Sequence, residues 1–292
     1  MAPLLACTCD VCYNRTTRQN YAKEDHMIGA IVGDVAGSRF EFANHRSKEF
    51  ELLADGCFAT DDSVMTLALA RALLECRDDK SDLPQKAVEC MQAIGRRYPH
   101  AGYGGHFRQW IAQDDPQPYN SWGNGAAMRV SPVCYAAASL DEALELSDAV
   151  TAVTHNHTEG IKGARATVSA MWLARQGKSI EEIRAHIEAH FYKIDFTLDE
   201  IRPTYRFDVS CQGTVPQALE AFFEATSFED AIRGAISIGG DSDTLAAITG
   251  SVAECFWGVP QEITDRVGQF LDHYQHLILD EFNARYSAKP LA

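Results

Sequence analysis

Two short acidic segments, Thr60-Asp61-Asp62-Ser63 and Gly239-Gly240-Asp241-Ser242-Asp243-Thr244, each stand at the head of an apolar run of helical period. Acidic side chains are rarely buried unless they are paired or hold a cation. The segments lie about 180 residues apart, so a shared site requires one cooperative unit in which two helix N-termini meet. Clusters offering only oxygen ligands suit hard divalent cations such as Mg2+, Mn2+ or Ca2+. The same residue types are also ordinary helix caps. A cap explains one residue of each group, but not two aspartates beside Thr60, nor Asp241 and Asp243 behind a glycine pair.

The apolar runs are those of a helical protein. Residues 61–77 carry Val64, Met65, Leu67, Ala68, Ala70, Leu73 and Leu74, a face wide enough for a buried helix. Asp61 and Asp62 then fall in its first turn, where unpaired backbone N–H groups favour negative charge. Between 26 and 37, Met27, Ile28, Ile31, Val32 and Val35 form another face, interleaved with Gly29, Gly33 and Gly37 at every fourth position. Each glycine costs a helix about 1 kcal/mol in propensity, so the stripe predicts a close helix–helix approach that offsets it.

Further helices are expected at 84–97, behind an Asp82 cap, and at 141–153, 158–175, 179–190, 214–225, 228–238, 242–256, 260–272 and 274–286. Residues 98–132 have no long periodic run; their glycines and aromatic residues read as loop whose backbone touches a ligand. Residues 192–212 read as loop with room for one short strand. The expected fold is all-α, a single domain over 25–292 after a flexible extension over 1–24.

Charge and cysteine usage narrow the function. A formal charge of −15, from 26 basic against 41 acidic residues, disfavours broad nucleic-acid or anionic-membrane binding. Nine cysteines are an odd number, and six of them lie singly in apolar or helical segments, which fits reduced thiols and a cytoplasmic protein. Cys7, Cys9 and Cys12 would hold a soft metal with a further ligand such as His26, but lack paired C-x-x-C spacing, so a polar extension is the expectation. Neither a signal h-region nor an 18-residue apolar window is present. No Walker A sequence, nucleophile elbow or dinucleotide fingerprint appears. Cys211 has no basic partner in view and reads as a packed thiol.

Taken together, five ordered segments resemble the ADP-ribosylglycohydrolase family: Gly29-Ala-Ile-Val-Gly-Asp-Val-Ala-Gly-Ser38 with Glu41 following, Thr60-Asp-Asp-Ser-Val-Met65, Trp122-Gly-Asn-Gly-Ala-Ala-Met-Arg129, Thr154-His155, and Gly239-Gly-Asp-Ser-Asp-Thr244. They span residues 26 to about 260. The resemblance implies a compact helical domain with a central cleft for two Mg2+ or Mn2+ ions. It places Thr60, Asp61 and Asp62 on one side of them and Asp241, Asp243 and Thr244 on the other. Four carboxylates would balance two divalent charges.

The resemblance further implies catalytic roles for Glu41, Asp62 and Asp241. On its own residues Glu41 reads as a solvated surface glutamate; family position makes it a mobile carboxylate beside the ribose. Asp34, inside the glycine stripe, reads as an acceptor supporting this centre or as a salt-bridge partner, and ranks below Glu41. Ser121, Trp122, Gly123, Asn124 and Gly125 would cradle a diphosphate, since consecutive small residues expose N–H groups, although Asn-Gly is also a common turn. Gly102, Tyr103 and Gly104 would bound the adenosine, with Tyr103, Phe107, Tyr119 and Trp122 as stacking candidates. His155 would meet phosphate or ribose, while His157 would cap the helix beginning near Thr158. Arg129, with Met128, is expected to begin a helix and to tie the loop to an acidic neighbour.

The expected activity is divalent-metal-dependent hydrolysis of the glycosidic bond between ADP-ribose and a protein side chain, with arginine favoured. ADP-ribosyl-serine and O-acetyl-ADP-ribose are the alternative substrates, and a non-catalytic ADP-ribose-binding or immunity protein is the alternative of another class. The partners are then an ADP-ribosylated protein and free ADP-ribose, with neither nucleic acid nor membrane, and a monomer is the default.

Overall fold

The computed structural model describes residues 27–286. The readings of Cys7, Cys9 and Cys12 and of the extension over 1–24 lie outside the described residues. Among those described, the architecture is all-α, with no strand and a single isolated antiparallel bridge between Gly123 and Ser210. Among the described residues no helix is long and apolar enough to cross a membrane.

The centre is an antiparallel helix pair, α1 (Gly29–Gly37) and the long buried helix Ser242–Trp257, which is α13 in chain order. The glycine stripe brings them together. A Cβ on Gly29 would lie 2.3 Å from the Gly250 carbonyl oxygen, one on Gly33 1.9 Å from that of Ala246, and one on Gly37 2.5 Å from Asp243 Cα. Backbone therefore meets backbone, and no side chain larger than hydrogen fits between them. Glu254 of α13 closes the far end, its carboxylate oxygens accepting the Ile28 and Gly29 N–H groups at 2.9 Å each. This satisfies two of the orphan donors at the start of α1.

Around this pair, α2 (Asp61–Glu75), α8 (Thr158–Arg175), α11 (Cys211–Phe223) and α12 (Phe228–Ser237) form the next layer. α13 is buried at every residue from Ser242 to Cys255, whereas α3 (Leu83–Arg97) buries only Leu83, Ala87, Cys90, Met91, Ile94 and Gly95. The three-and-four spacing on α3 is that of a helix with one solvated face. The six cysteines among the described residues are all buried and none forms a disulfide.

Several local expectations are corrected. Residues 98–132 contain α4 (Gly105–Ala112), whose Phe107, Trp110 and Ile111 are buried at three-and-four spacing; one short apolar stripe is too brief to register as periodicity. A one-turn helix, α5, spans Gly125–Met128, so Arg129 ends a helix rather than beginning one. Asp82 precedes α3 without capping it, because its carboxylate accepts the Arg77 N–H at 2.9 Å. In 192–212 the regular element is a helical turn, α10 (Leu198–Ile201), started by a Thr197/Glu200 capping box, a signature legible in the sequence. The other helices, α6 (Pro132–Ala136), α7 (Leu140–Thr151), α9 (Ile180–His190), α14 (Gln261–Gly268) and α15 (His273–Tyr286), enclose the core.

Candidate metal centre and ligand cleft

α2 and α13 begin at the same place. Asp62, Asp241, Asp243, Thr60 and Thr244 are all buried, whereas Glu41 is partly exposed. One carboxylate oxygen from each of Asp34, Asp62 and Asp243 lies within 4.8 Å of the other two, and the same holds for Glu41, Asp241 and Asp243. Asp243 belongs to both groups, so the two acidic segments form one continuous site. Thr244 Oγ1 donates to Asp62 Oδ2 at 3.3 Å across it.

Local backbone explains the placement. Thr60 caps α2 by accepting the Asp62 N–H at 3.2 Å, and Asp61 N–H donates to the Ala101 carbonyl at 2.8 Å. Before α13, Gly239 and Gly240 both have positive φ, 72° and 77°, a conformation that L side chains rarely adopt. A Cβ on Gly240 would also lie 2.4 Å from the Tyr205 ring. The pair turns the chain so that Asp241 and Asp243 face Asp62.

Asp34 is more central than its sequence position suggests. It is fully buried, accepting from Thr60 Oγ1 at 2.6 Å, from the Thr60 and Ser63 N–H groups at 2.9 and 3.0 Å, and from the Ser63 hydroxyl. Both of its oxygens are thus engaged in holding the first turn of α2, and it acts as an anchor for Thr60.

The electrostatics are those of carboxylates short of positive charge. Burial, reinforced by Asp34, raises Asp62 well above the usual carboxylate range, and burial with Asp62 does the same to Asp243. Burial and Asp34 lift Asp61 to about 7; burial, Asp241 and Asp34 lift Glu41 to about 7. Asp34 rises only to about 6, because the Ser63 and Thr60 hydrogen bonds oppose its burial. Asp62 Oδ1 is buried with no hydrogen-bond partner. An unpartnered buried carboxylate oxygen among four other carboxylates suits a hard divalent cation, so the residues present fit the metal that the sequence implies.

The glycine-rich loop borders this centre. Asn124 Nδ2 donates to Asp241 Oδ2 at 2.7 Å and to Thr214 Oγ1 at 3.2 Å, so the Asn124 side chain grips the acidic cluster. Gly123 N–H donates to Ser121 Oγ at 3.1 Å and Asn124 N–H to the Val209 carbonyl at 2.7 Å, so two of the loop's amides are engaged within the protein. A Cβ on Gly125 would lie 3.2 Å from His155 Nε2, placing His155 against the turn. Trp122 is about half exposed.

Tyr103 and Phe107 are buried against each other, their ring centroids 5.6 Å apart, while Tyr119 lies 6.0 Å from the His155 ring. Gly102 abuts Asp61, since its Cβ would lie 3.0 Å from Asp61 Oδ1, whereas Gly104 has open space beside it. His157 caps α8, its Nδ1 accepting the Glu159 N–H. Arg129 is buried, and its guanidinium hydrogen-bonds to Thr154 and His155 rather than to an acidic neighbour.

Asn44 was not singled out by the sequence. Its side chain donates to the Phe40, Glu41 and Gly240 carbonyls and accepts the Gly240 N–H, all at 2.9 Å. It clasps the Glu41 segment to the second acidic segment. Only the tertiary fold brings residues 44 and 240 together.

The ADP-ribosylglycohydrolase family profile matches residues 24–289. Similar proteins include ADP-ribosylhydrolase ARH3 of Homo sapiens, 25% identical over 80% of this chain and 85% of its own length. ADP-ribosylarginine hydrolase Tri1 of Pseudomonas putida (strain GB-1) is 26% identical over 88% of this chain and 76% of its own. A solved structure described as an ADP-ribosylglycohydrolase-related protein complex shares the fold, with a TM-score of 0.67 at 23% identity, covering 90% of this chain and 97% of the other. With a match from residue 24 to residue 289 that takes in the helical core and both acidic segments, the chain belongs to the ADP-ribosylglycohydrolase family.

Proposed function

We propose that the protein hydrolyses the bond between C1″ of ADP-ribose and a modified arginine side chain, releasing ADP-ribose. The observation that carries this reading is the convergence of Asp62 and Asp243 in one carboxylate group and of Glu41, Asp241 and Asp243 in another, joined through Asp243, with Asp62 Oδ1 buried and without a hydrogen-bond partner. The arginine preference draws on the Thr60-Asp61-Asp62-Ser63-Val64-Met65 segment and on the relatives named as ADP-ribosylarginine hydrolases, from Pseudomonas putida and Serratia proteamaculans.

Asp62, Asp241 and Asp243, with Thr60, Asp61 and Thr244, would hold two Mg2+ or Mn2+ ions. Bound there, the ions would supply Lewis-acid charge that polarises water and orients the ribose hydroxyls. In hydrolysis the water oxygen ends on C1″ and a proton ends on the departing guanidine. Glu41, like Asp61, is only partly buried, and without bound cations its carboxyl is lifted to about 7, within reach of both protonation states at neutral pH. It would take the proton from water and return it to the leaving nitrogen. The neighbouring carboxylates would stabilise positive charge developing at C1″. Asn124 keeps Asp241 oriented for either task.

The test is release of ADP-ribose from an ADP-ribosyl-arginine peptide and an ADP-ribosyl-serine peptide, each with Mg2+ and with EDTA. Metal-dependent release from the arginine peptide is expected. Release from the serine peptide alone would reassign the linkage, and binding of ADP-ribose without release from either would make the protein a non-catalytic binder.

A further inference from the structure

His155 is a buried imidazole with one face against the ligand loop and the other against a cation. Arg129 Nη2 lies 2.7 Å from Thr154 Oγ1 and 3.2 Å from His155 Nδ1, and Thr154 Oγ1 lies 2.7 Å from the same Nδ1. A guanidinium has no acceptor and keeps its charge in proteins. Towards Arg129, therefore, both Thr154 Oγ1 and His155 Nδ1 can only accept. The Thr154 hydroxyl oxygen has two lone pairs and fits either tautomer, so the Arg129 contact decides: a proton on Nδ1 would face the Arg129 N–H, which places the imidazole proton on Nε2. That nitrogen adjoins the turn, 3.2 Å and 3.5 Å from where Cβ atoms on Gly125 and Gly123 would be.

We propose that Arg129, with Thr154, is a positioning residue that locks His155 as the Nε2–H tautomer, presenting one fixed N–H donor to an oxygen of the ligand at the Gly123–Gly125 turn. Burial and the adjacent guanidinium hold the imidazole neutral, so the donor does not become a second cation. Arg129 itself is buried, with its guanidinium carbon 5.2 Å over the Phe107 ring. It acts through His155 without touching the ligand. The ligand's identity rests on the function proposed above, but the tautomer does not.

The experiment is long-range 1H–15N correlation spectroscopy on the 15N-histidine-labelled protein at pH 7, with assignment by His155→Gln. The wild-type protein should show His155 protonated at Nε2 and bare at Nδ1. An Nδ1–H tautomer or an imidazolium would overturn the proposal without needing any variant. Arg129→Met, checked for fold by circular dichroism, should populate both tautomers and weaken ADP-ribose binding about 5- to 10-fold, the scale of one misdirected hydrogen bond. A folded Arg129→Met that keeps the pure Nε2–H form would also overturn it. If ADP-ribose leaves the His155 signals unmoved while the tautomer is as stated, the ligand reading fails and the locking role stands.

Discussion

Asn124 Nδ2 donates to Asp241 Oδ2 at 2.7 Å, joining two residues separated by 117 positions in the chain. The bond ties the glycine-rich loop to the second acidic segment, so the loop that would face the ligand also orients a carboxylate of the candidate metal centre. Removing partners that orient metal ligands commonly lowers metal affinity or activity by about 10- to 100-fold. Asn124→Ala should weaken Mn2+ binding by that factor in isothermal titration, with the fold intact. Unchanged affinity would show that Asp241 is held by other means.

Asp62→Asn should separate stability from activity. The substitution keeps shape but removes a charge from a crowded, buried set whose Oδ1 has no partner. The metal-free protein should gain about 1–2 kcal/mol at pH 8, the scale of about one pKa unit of like-charge repulsion relieved, while metal-dependent turnover falls by more than ~100-fold. Urea denaturation with EDTA, paired with the peptide assay, reads both effects. A less stable metal-free variant would contradict this account of the cluster.

The metal-free protein should lose stability as pH rises from about 4 to about 7. Asp34, Asp61 and Glu41 are raised to about 6, 7 and 7 from ordinary values near 4. A carboxyl with a raised folded-state pKa contributes stability in full below its unfolded value and loses it as pH climbs through the folded value. Bound cations reverse the penalty by favouring the ionised forms. The rise in Tm on adding Mn2+ to EDTA-treated protein should therefore grow between pH 5 and pH 8, as followed by scanning fluorimetry. A constant rise across that range is the outcome that counts against it.

The glycine stripe makes a contrast within one residue type. Gly33→Ala places a Cβ 1.9 Å from the Ala246 carbonyl oxygen and must separate α1 from α13; a loss of about 3 kcal/mol is expected, the upper end of ordinary overpacking. At Gly104 there is nothing within 4 Å, and Gly104→Ala should change stability by less than about 0.5 kcal/mol. Chemical denaturation of both variants checks the pair, and similar losses would remove close approach as the reason for the stripe.

The sequence by itself determined the elements. Helical periodicity in 61–77 and 242–256 located α2 and α13, because an apolar face at 3.6-residue spacing has little alternative but a buried helix. The four-residue glycine repeat announced the α1–α13 contact, since only close approach compensates three helical glycines. The acidic segments announced themselves through residue type and position at helix starts. Helix α4 stayed hidden because its apolar stripe is too short to stand out, whereas the turn α10 is marked in the sequence only by its capping box and not by periodicity.

Tertiary structure alone decided the partners. The sequence carries no mark of which side chain meets which across a hundred residues or more, because those contacts depend on how whole helices are docked. Docking therefore assigned Asn44 to Gly240 and Asn124 to Asp241. It also made Asp34 the anchor of the Thr60 turn, where the sequence had ranked it below Glu41. Docking likewise put Arg129 beside Thr154 and His155 rather than beside a carboxylate. Burial in the docked cluster then raised the carboxyls of Asp34, Glu41, Asp61, Asp62, Asp241 and Asp243 above their usual range.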